Sequence, residues 1–293
     1  MAGAATHHGV VVGVDGSPAS QVAVGWAARE AAMRRLPLTL VYVLSPPMVL
    51  APGVALPTGF EMWQEAAGRD ALDAAVARAR EVTAANPIDV TSEIATGVPI
   101  STLADLSKDA QMVVVGARGR SRFRTMLGSV ASGLTHHGHC PVAILHEDNV
   151  FPDHTTAPVV VGIDGSSFSE SATEIAFDEA SRRGVELVAV HACTDWDGWD
   201  HPDVHWSDVE IWGEEVLAER LAGWQEQYPD VHVRRVVVAH RAADQLLKES
   251  EHAQLVVVGS HGRGGFAGML LGSVGAAVVQ RARVPVLVVR KSE

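Results

Sequence analysis

Residues Val10–Ser17 read VVVGVDGS and residues Val159–Ser166 read VVVGIDGS, an offset of 149. The same offset carries Ala23, Ala27 and Ala31 onto Ala172, Ala176 and Ala180. Further along, MVVVGARG (Met112–Gly119) matches LVVVGSHG (Leu255–Gly262), and LGSV (Leu127–Val130) matches LGSV (Leu271–Val274). PVAIL (Pro141–Leu145) likewise matches PVLVV (Pro285–Val289). Self-similarity over this span means one folding unit used twice. The polar, proline-bounded stretch Glu147–Pro158 (EDNVFPDHTTAP) reads as a linker, so the expected organisation is a first domain over 1–146, a linker over 147–158 and a second domain over 159–293.

Each copy shows one pattern: apolar run, helix, apolar run, long helix, alternating run, short helix, apolar run, helix, apolar run. Such alternation predicts an α/β fold, here two tandem open twisted parallel sheets of Rossmann-like type, five strands each, with helices on both faces. Strands are expected near 9–15, 38–44, 88–95, 111–116 and 141–146, and near 158–164, 186–192, 231–239, 254–259 and 285–290. Runs such as VVVG are apolar without interruption, as strands covered on both faces require. The alanines repeating every fourth residue form a small-side-chain stripe that lets the first helix of each copy approach its sheet.

Composition narrows the function. The chain has 293 residues, 47% hydrophobic and 20% charged, enough for two cores. Its net charge of -12 repels a phosphate backbone, so nucleic acid is not an expected partner. Two cysteines, Cys140 and Cys193, cannot build a disulfide framework, and Met1–His8 lacks the apolar core of a signal peptide, so a reducing cytoplasm is expected. No apolar run approaches the ~20 residues that cross a bilayer.

In open parallel sheets, ligands sit beyond the carboxyl ends of the strands where strand order reverses. The glycines cluster at such ends. After Val258 come Gly259-Ser260-His261-Gly262, nine residues (RGGFAGMLL), and then Gly272-Ser273-Val274 opening a helix. Glycine leaves backbone N–H groups uncovered, and a helix start adds a dipole and a hydroxyl, which suits an anion as long as a triphosphate.

This spacing resembles the ATP-binding signature of the universal stress protein family, Gly-x2-Gly-x9-Gly-(Ser/Thr), and the likeness covers the whole chain as two fused family domains. The resemblance implies that Asp15 and Asp164 contact the nucleoside, and that Val43 and Ala192 offer backbone groups to adenine. It implies close approach of the nucleotide at Gly13 and Gly162. For the phosphates it points to Gly116, Gly119, Gly128 and Ser129 in the first copy and to Gly259, Gly262, Gly272 and Ser273 in the second; their neighbours Val130, His261, Arg263, Gly264 and Val274 complete the expected ATP-binding set. The first copy departs from the signature: between Gly119 and Gly128 stand only eight residues (RSRFRTML), none of them glycine. Arg118, Arg120, Arg122 and Arg124 are placed to neutralise phosphate there. The implied cofactor is ATP, with Mg2+ left open. The implied partners are an adenine nucleotide, a second copy of the chain and a regulatory protein. Family domains pair through their last strands, here Pro141–His146 and Pro285–Arg290, which would let the two halves pair within one chain.

Other features have plainer readings. Asp15 and Asp164 precede Gly-Ser and a helix, where turn carboxylates belong. His136, His137, His139 and Cys140 have the chemistry of zinc ligands, but the repeat places Arg283 and Val284 at the last two positions, so the scaffold needs no metal there. The segment Asp195–Trp212, with Trp196, Trp199, Trp206 and Trp212, and its counterpart Ser45–Trp63 read as lids, partner surfaces or edge packing.

Neither copy has the Gly-x4-Gly-Lys-(Ser/Thr) of P-loop nucleotide hydrolases or a nucleophile elbow. His261 stands in the second loop, where the first has Arg118, which cannot act as a base. The expectation is a nucleotide-dependent regulator with little or no hydrolysis. A slow ATP-hydrolysing or nucleotidyl-transfer enzyme and a purely structural module are the alternatives.

Overall fold

The computed structural model describes residues 8–45, 59–119, 127–149, 151, 156–193, 206–263 and 270–291, the side chains of 206–208 excepted. The chain divides into two compact units, Met1–Glu147 and Asp148–Glu293.

In the first unit the order is β1 (Gly9–Gly13), α1 (Pro18–Arg34), β2 (Leu38–Leu44), α2 (Phe60–Val82), β3 (Val90–Thr96), α3 (Pro99–Leu106), β4 (Ala110–Gly116), α4 (Ser129–His137) and β5 (Val142–Leu145). The second repeats it: β6 (Val159–Gly162), α5 (Ser167–Arg183), β7 (Leu187–Ala192), α6 (Trp206–Gln227), β8 (Val233–Val238), α7 (Ala242–Ser250), β9 (Leu255–Gly259), α8 (Ser273–Arg281) and β10 (Val286–Val289). The strands run in the order β3-β2-β1-β4-β5 in one unit and β8-β7-β6-β9-β10 in the other. All pairings within the units are parallel, with Val10 opposite Leu38 and Met112, and Val159 opposite Leu187 and Leu255. Crossovers between parallel strands are right-handed, so connections that step one way from β1 and the other way from β4 put α1 and α2 on one face and α3 and α4 on the other. Between β1 and β4 the order reverses and a crevice opens.

Ten strands lie within a few residues of their sequence positions. The main departure is at the ends of β1 and β6, expected to reach 15 and 164. Both stop at glycine, because the next residues turn: Gly16 and Gly165 have φ of 78° and 80°. Ser17 then caps α1 by accepting the Ser20 N–H (3.2 Å), with Pro18 in the first turn, and Ser166 caps α5 in the same way from Ser169 (3.2 Å).

The alanine stripe is fully buried in both units. Beneath it lies a feature the sequence did not disclose. Glu30 pairs with Arg34, and Glu179 with Arg183, one helical turn apart with nearly no exposed side-chain surface.

Candidate functional site

At the carboxyl ends of the first unit's strands lies a cleft of about 360 Å3, running from the end of β2 across β1 to the start of α4. β1 ends in Gly13, where a Cβ would stand 2.9 Å from Leu103 of α3. The chain then turns at Asp15, whose Oδ1 accepts the Ser17 N–H (2.9 Å). Its Oδ2 lies under the loop that leaves β4: a Cβ on Gly119 would be 2.6 Å from it. Gly116, ending β4, backs onto the first turn of α1, 3.0 Å from Ala19 Cβ by the same measure. The loop's return is fixed by the Gly128 N–H, which donates to the Ala117 carbonyl (2.8 Å). Gly128 is the N-cap of α4 and no side chain caps the helix. The first-turn positions Ser129, Val130 and Ala131 line the cleft.

The second unit builds the same object, a cleft of about 450 Å3. Asp164 Oδ1 accepts the Ser166 N–H (2.9 Å), and its Oδ2 accepts the N–H of Arg263 from the loop (3.0 Å). A Cβ on Gly262 would be 2.5 Å from that oxygen. Burial works to raise the Asp164 carboxyl, but hydrogen bonds from Ser166, Ser169 and the Arg263 amide outweigh it and hold the group below the ordinary carboxylate range. The Gly272 N–H donates to Ser260 O (2.8 Å), and α8 starts at Ser273, again without a side-chain cap. His261 Nδ1 lies 3.2 Å from Ser260 Oγ and its ring 5.3 Å from that of Phe168.

Every described site residue expected from the sequence falls in these clefts. Gly13, Asp15, Val43, Gly116, Arg118, Gly119, Gly128, Ser129 and Val130 line the first. Gly162, Asp164, Ala192, Gly259, His261, Gly262, Arg263, Gly272, Ser273 and Val274 line the second. Arg120, Arg122, Arg124 and Gly264 lie outside the described residues, as do Trp196 and Trp199. Trp212 and its repeat partner Trp63 are exposed on α6 and α2. The amides of Gly128 and Gly272 are not bare but close their own loops, so the donors open to an anion are those of the helix first turn.

Sequence reasoning missed Tyr42, Ser45, Pro99 and Leu103 in the first lining, and Arg241, Asp244 and Leu246 in the second. Leu103 and Leu246 were discoverable, being equivalent leucines on the short helices. Arg241 was not: it enters the cleft through a left-handed backbone (φ 60°) at the N-cap of α7. At the end of α4, His136 and His137 meet edge to face, and the His139 N–H donates to Ser107 Oγ (2.8 Å). Burial pushes the Cys140 thiol up to about 12, away from the thiolate a metal needs, and no cluster of three metal-ligating side chains occurs among the described residues.

The clefts fit an anionic nucleotide. Glycines permit close approach, a helix start faces one end, and strand-end backbone faces the other. Each has a β1-type carboxylate, Asp15 or Asp164, already held by turn amides, so Mg2+ would arrive with the phosphates rather than in a protein cage. No described helix is long and apolar enough to cross a membrane.

Comparison with known proteins matches each copy separately to one family. A profile described as the Universal stress protein family matches residues 7–146 and again 156–290. A universal stress protein of Mycobacterium tuberculosis (strain ATCC 25618 / H37Rv) is 54% identical over 287 residues, 97% of each chain. The crystal structure of a universal stress protein from Archaeoglobus fulgidus DSM 4304 superposes with a TM-score of 0.71 at 21% identity, covering 96% of both chains. A universal stress protein solved in complex with cAMP covers 48% of this chain and 97% of its own, at 26% identity and a TM-score of 0.36.

Proposed function

This chain belongs to the universal stress protein family, and from that premise we propose that both of its clefts bind an adenine nucleotide, ATP foremost, as the input of a regulator rather than as fuel. The observation that carries the reading is the contact between carboxylate and glycine loop, present in both units. Asp15 against Gly119 and Asp164 against Gly262 bring the turn after the first strand so close to the phosphate-type loop that a Cβ on either glycine would stand 2.6 or 2.5 Å from the carboxylate. A nucleoside at the carboxylate therefore has its phosphates at the loop and at the first turn of α4 or α8. At the other end, Val41, Tyr42, Val43 and Leu103 give the first cleft an apolar seat suited to a base.

Turnover is disfavoured by the donor set. Among the described lining of the first cleft the only carboxylate is Asp15, which the turn already holds, and Arg118 occupies the place of His261. Occupancy instead changes the surface that the clefts and their rims offer to a partner.

Mass spectrometry of nucleotide released from freshly denatured protein, with calorimetric titration of ATP, tests the reading. Two adenine nucleotides per chain are expected. A chain that carries none and gives no heat with ATP, ADP or AMP overturns it. Steady release of many phosphates per chain from labelled ATP would instead favour the hydrolase alternative, with His261 positioning water.

A further inference from the structure

Arg263 touches both ends of the second cleft. Its backbone N–H is bound to Asp164 at the end of β6, while its side chain reaches across to β7, where Nη2 donates to the Ala192 carbonyl (3.3 Å). Ala192 ends β7, lines the cleft, and occupies the place that Val43 has in the first unit. The guanidinium also lies beside Cys193. Burial raises that thiol, and the positive charge of Arg263 works in the opposite direction.

The strand-end carbonyl is the acceptor that an adenine base would use for its exocyclic amine. An amine and a guanidinium are both donors, so they compete for the same oxygen, and the charged donor makes the stronger hydrogen bond. We propose that Arg263 is a specificity-determining latch at the base end of the second cleft: by holding the Ala192 carbonyl it suppresses that cleft's preference for a base bearing an amine. A base with a keto oxygen at that position loses nothing to the latch, because an acceptor has no use for the carbonyl and faces a guanidinium that can donate to it. The proposal rests on the nucleotide reading above.

The test uses the full chain carrying Gly119→Val, which removes the first cleft from the titration. ATP and inosine triphosphate, which differ in amine against keto oxygen, are titrated calorimetrically into this protein and into the same protein with Arg263→Ala. The substitution keeps the backbone N–H that binds Asp164, so the loop stays anchored. The parent is expected to bind the two nucleotides alike, and Arg263→Ala to prefer ATP by about three- to ten-fold, the weight of one hydrogen bond regained. A merely structural role for Arg263 would weaken both nucleotides together and leave their ratio unmoved. Binding of both with an unchanged or smaller preference for ATP overturns the latch and leaves the nucleotide reading standing. Binding of neither by either protein overturns both.

Discussion

A glycine and a carboxylate in contact at the same place in both units are the residue-scale signature of this protein. Any Cβ at Gly119 or Gly262 would press into Asp15 or Asp164, so the requirement is for empty space, not for a flexible turn. Asp164 also carries a stability consequence with a definite sign. Its folded carboxyl titrates below the ordinary value, so the fold favours the ionised form. That contribution is fully present above the unfolded value of ~3.9 and is lost as pH falls through the lower folded value. Urea unfolding of the second unit should therefore weaken on acidification below about pH 4 more steeply in the parent than in Asp164→Asn, which is also the less stable at pH 7. Equal acid sensitivity in the two proteins would mean that the hydrogen bonds from Ser166, Ser169 and Arg263 do not favour the charge. Asp164 and Gly262 were legible in the sequence because the repeat supplied a second example of each. Arg241 was not, since its place depends on a left-handed backbone that no neighbouring residue type announces.

Elements were legible where burial is symmetric. Strands such as β1 and β4, covered on both faces, write an unbroken apolar run, and alternation of runs and helices dictates the crossovers. The overrun at the ends of β1 and β6 has a local cause: Val14 and Ile163 are apolar enough to read as strand, while Asp15 and Asp164 accept the N–H of Ser17 and Ser166 in a turn that sets those serines to cap the next helix. The buried pairs Glu30–Arg34 and Glu179–Arg183 stayed hidden because charges one turn apart on a helix usually mark a solvated face. Comparing copies also exposes an unequal helix end. α5 stops at Gly184 (φ 62°), whereas α1 stops at Arg35 (φ 55°), the same position in the repeat. A non-glycine residue in the left-handed region is strained by roughly 1–2 kcal/mol, partly offset by glycine's greater freedom when unfolded. Arg35→Gly should accordingly stabilise the first unit by about 0.5–1 kcal/mol, read as a higher denaturant midpoint at unchanged slope. A lower midpoint would show that the Arg35 side chain contributes more than its backbone costs.

For the whole molecule, duplication gives two units each with a five-stranded sheet, its own helices and its own cleft, but with linings that have diverged. The first lining includes Tyr42 and Pro99, the second Arg241 and Asp244, so the two clefts should differ in affinity and report different nucleotide levels. Stability supplies the separate readout. A ligand that binds only the folded state adds RT ln(1 + [L]/Kd), about 2.7 kcal/mol at a hundred-fold excess over Kd. If each cleft stabilises its own unit, ATP should protect only the unit whose glycine is intact. Gly119→Val should leave the second unit's amide exchange slowed by ATP and the first unit's unaffected, Gly262→Val should do the reverse, and the double variant should show no protection in either. Hydrogen exchange read by mass spectrometry, peptide by peptide, distinguishes the units where a single melting curve of a two-unit chain cannot. Protection spreading into the unit with the blocked cleft would mean that the copies communicate, and the regulator would then be a coupled pair of sensors rather than two independent ones.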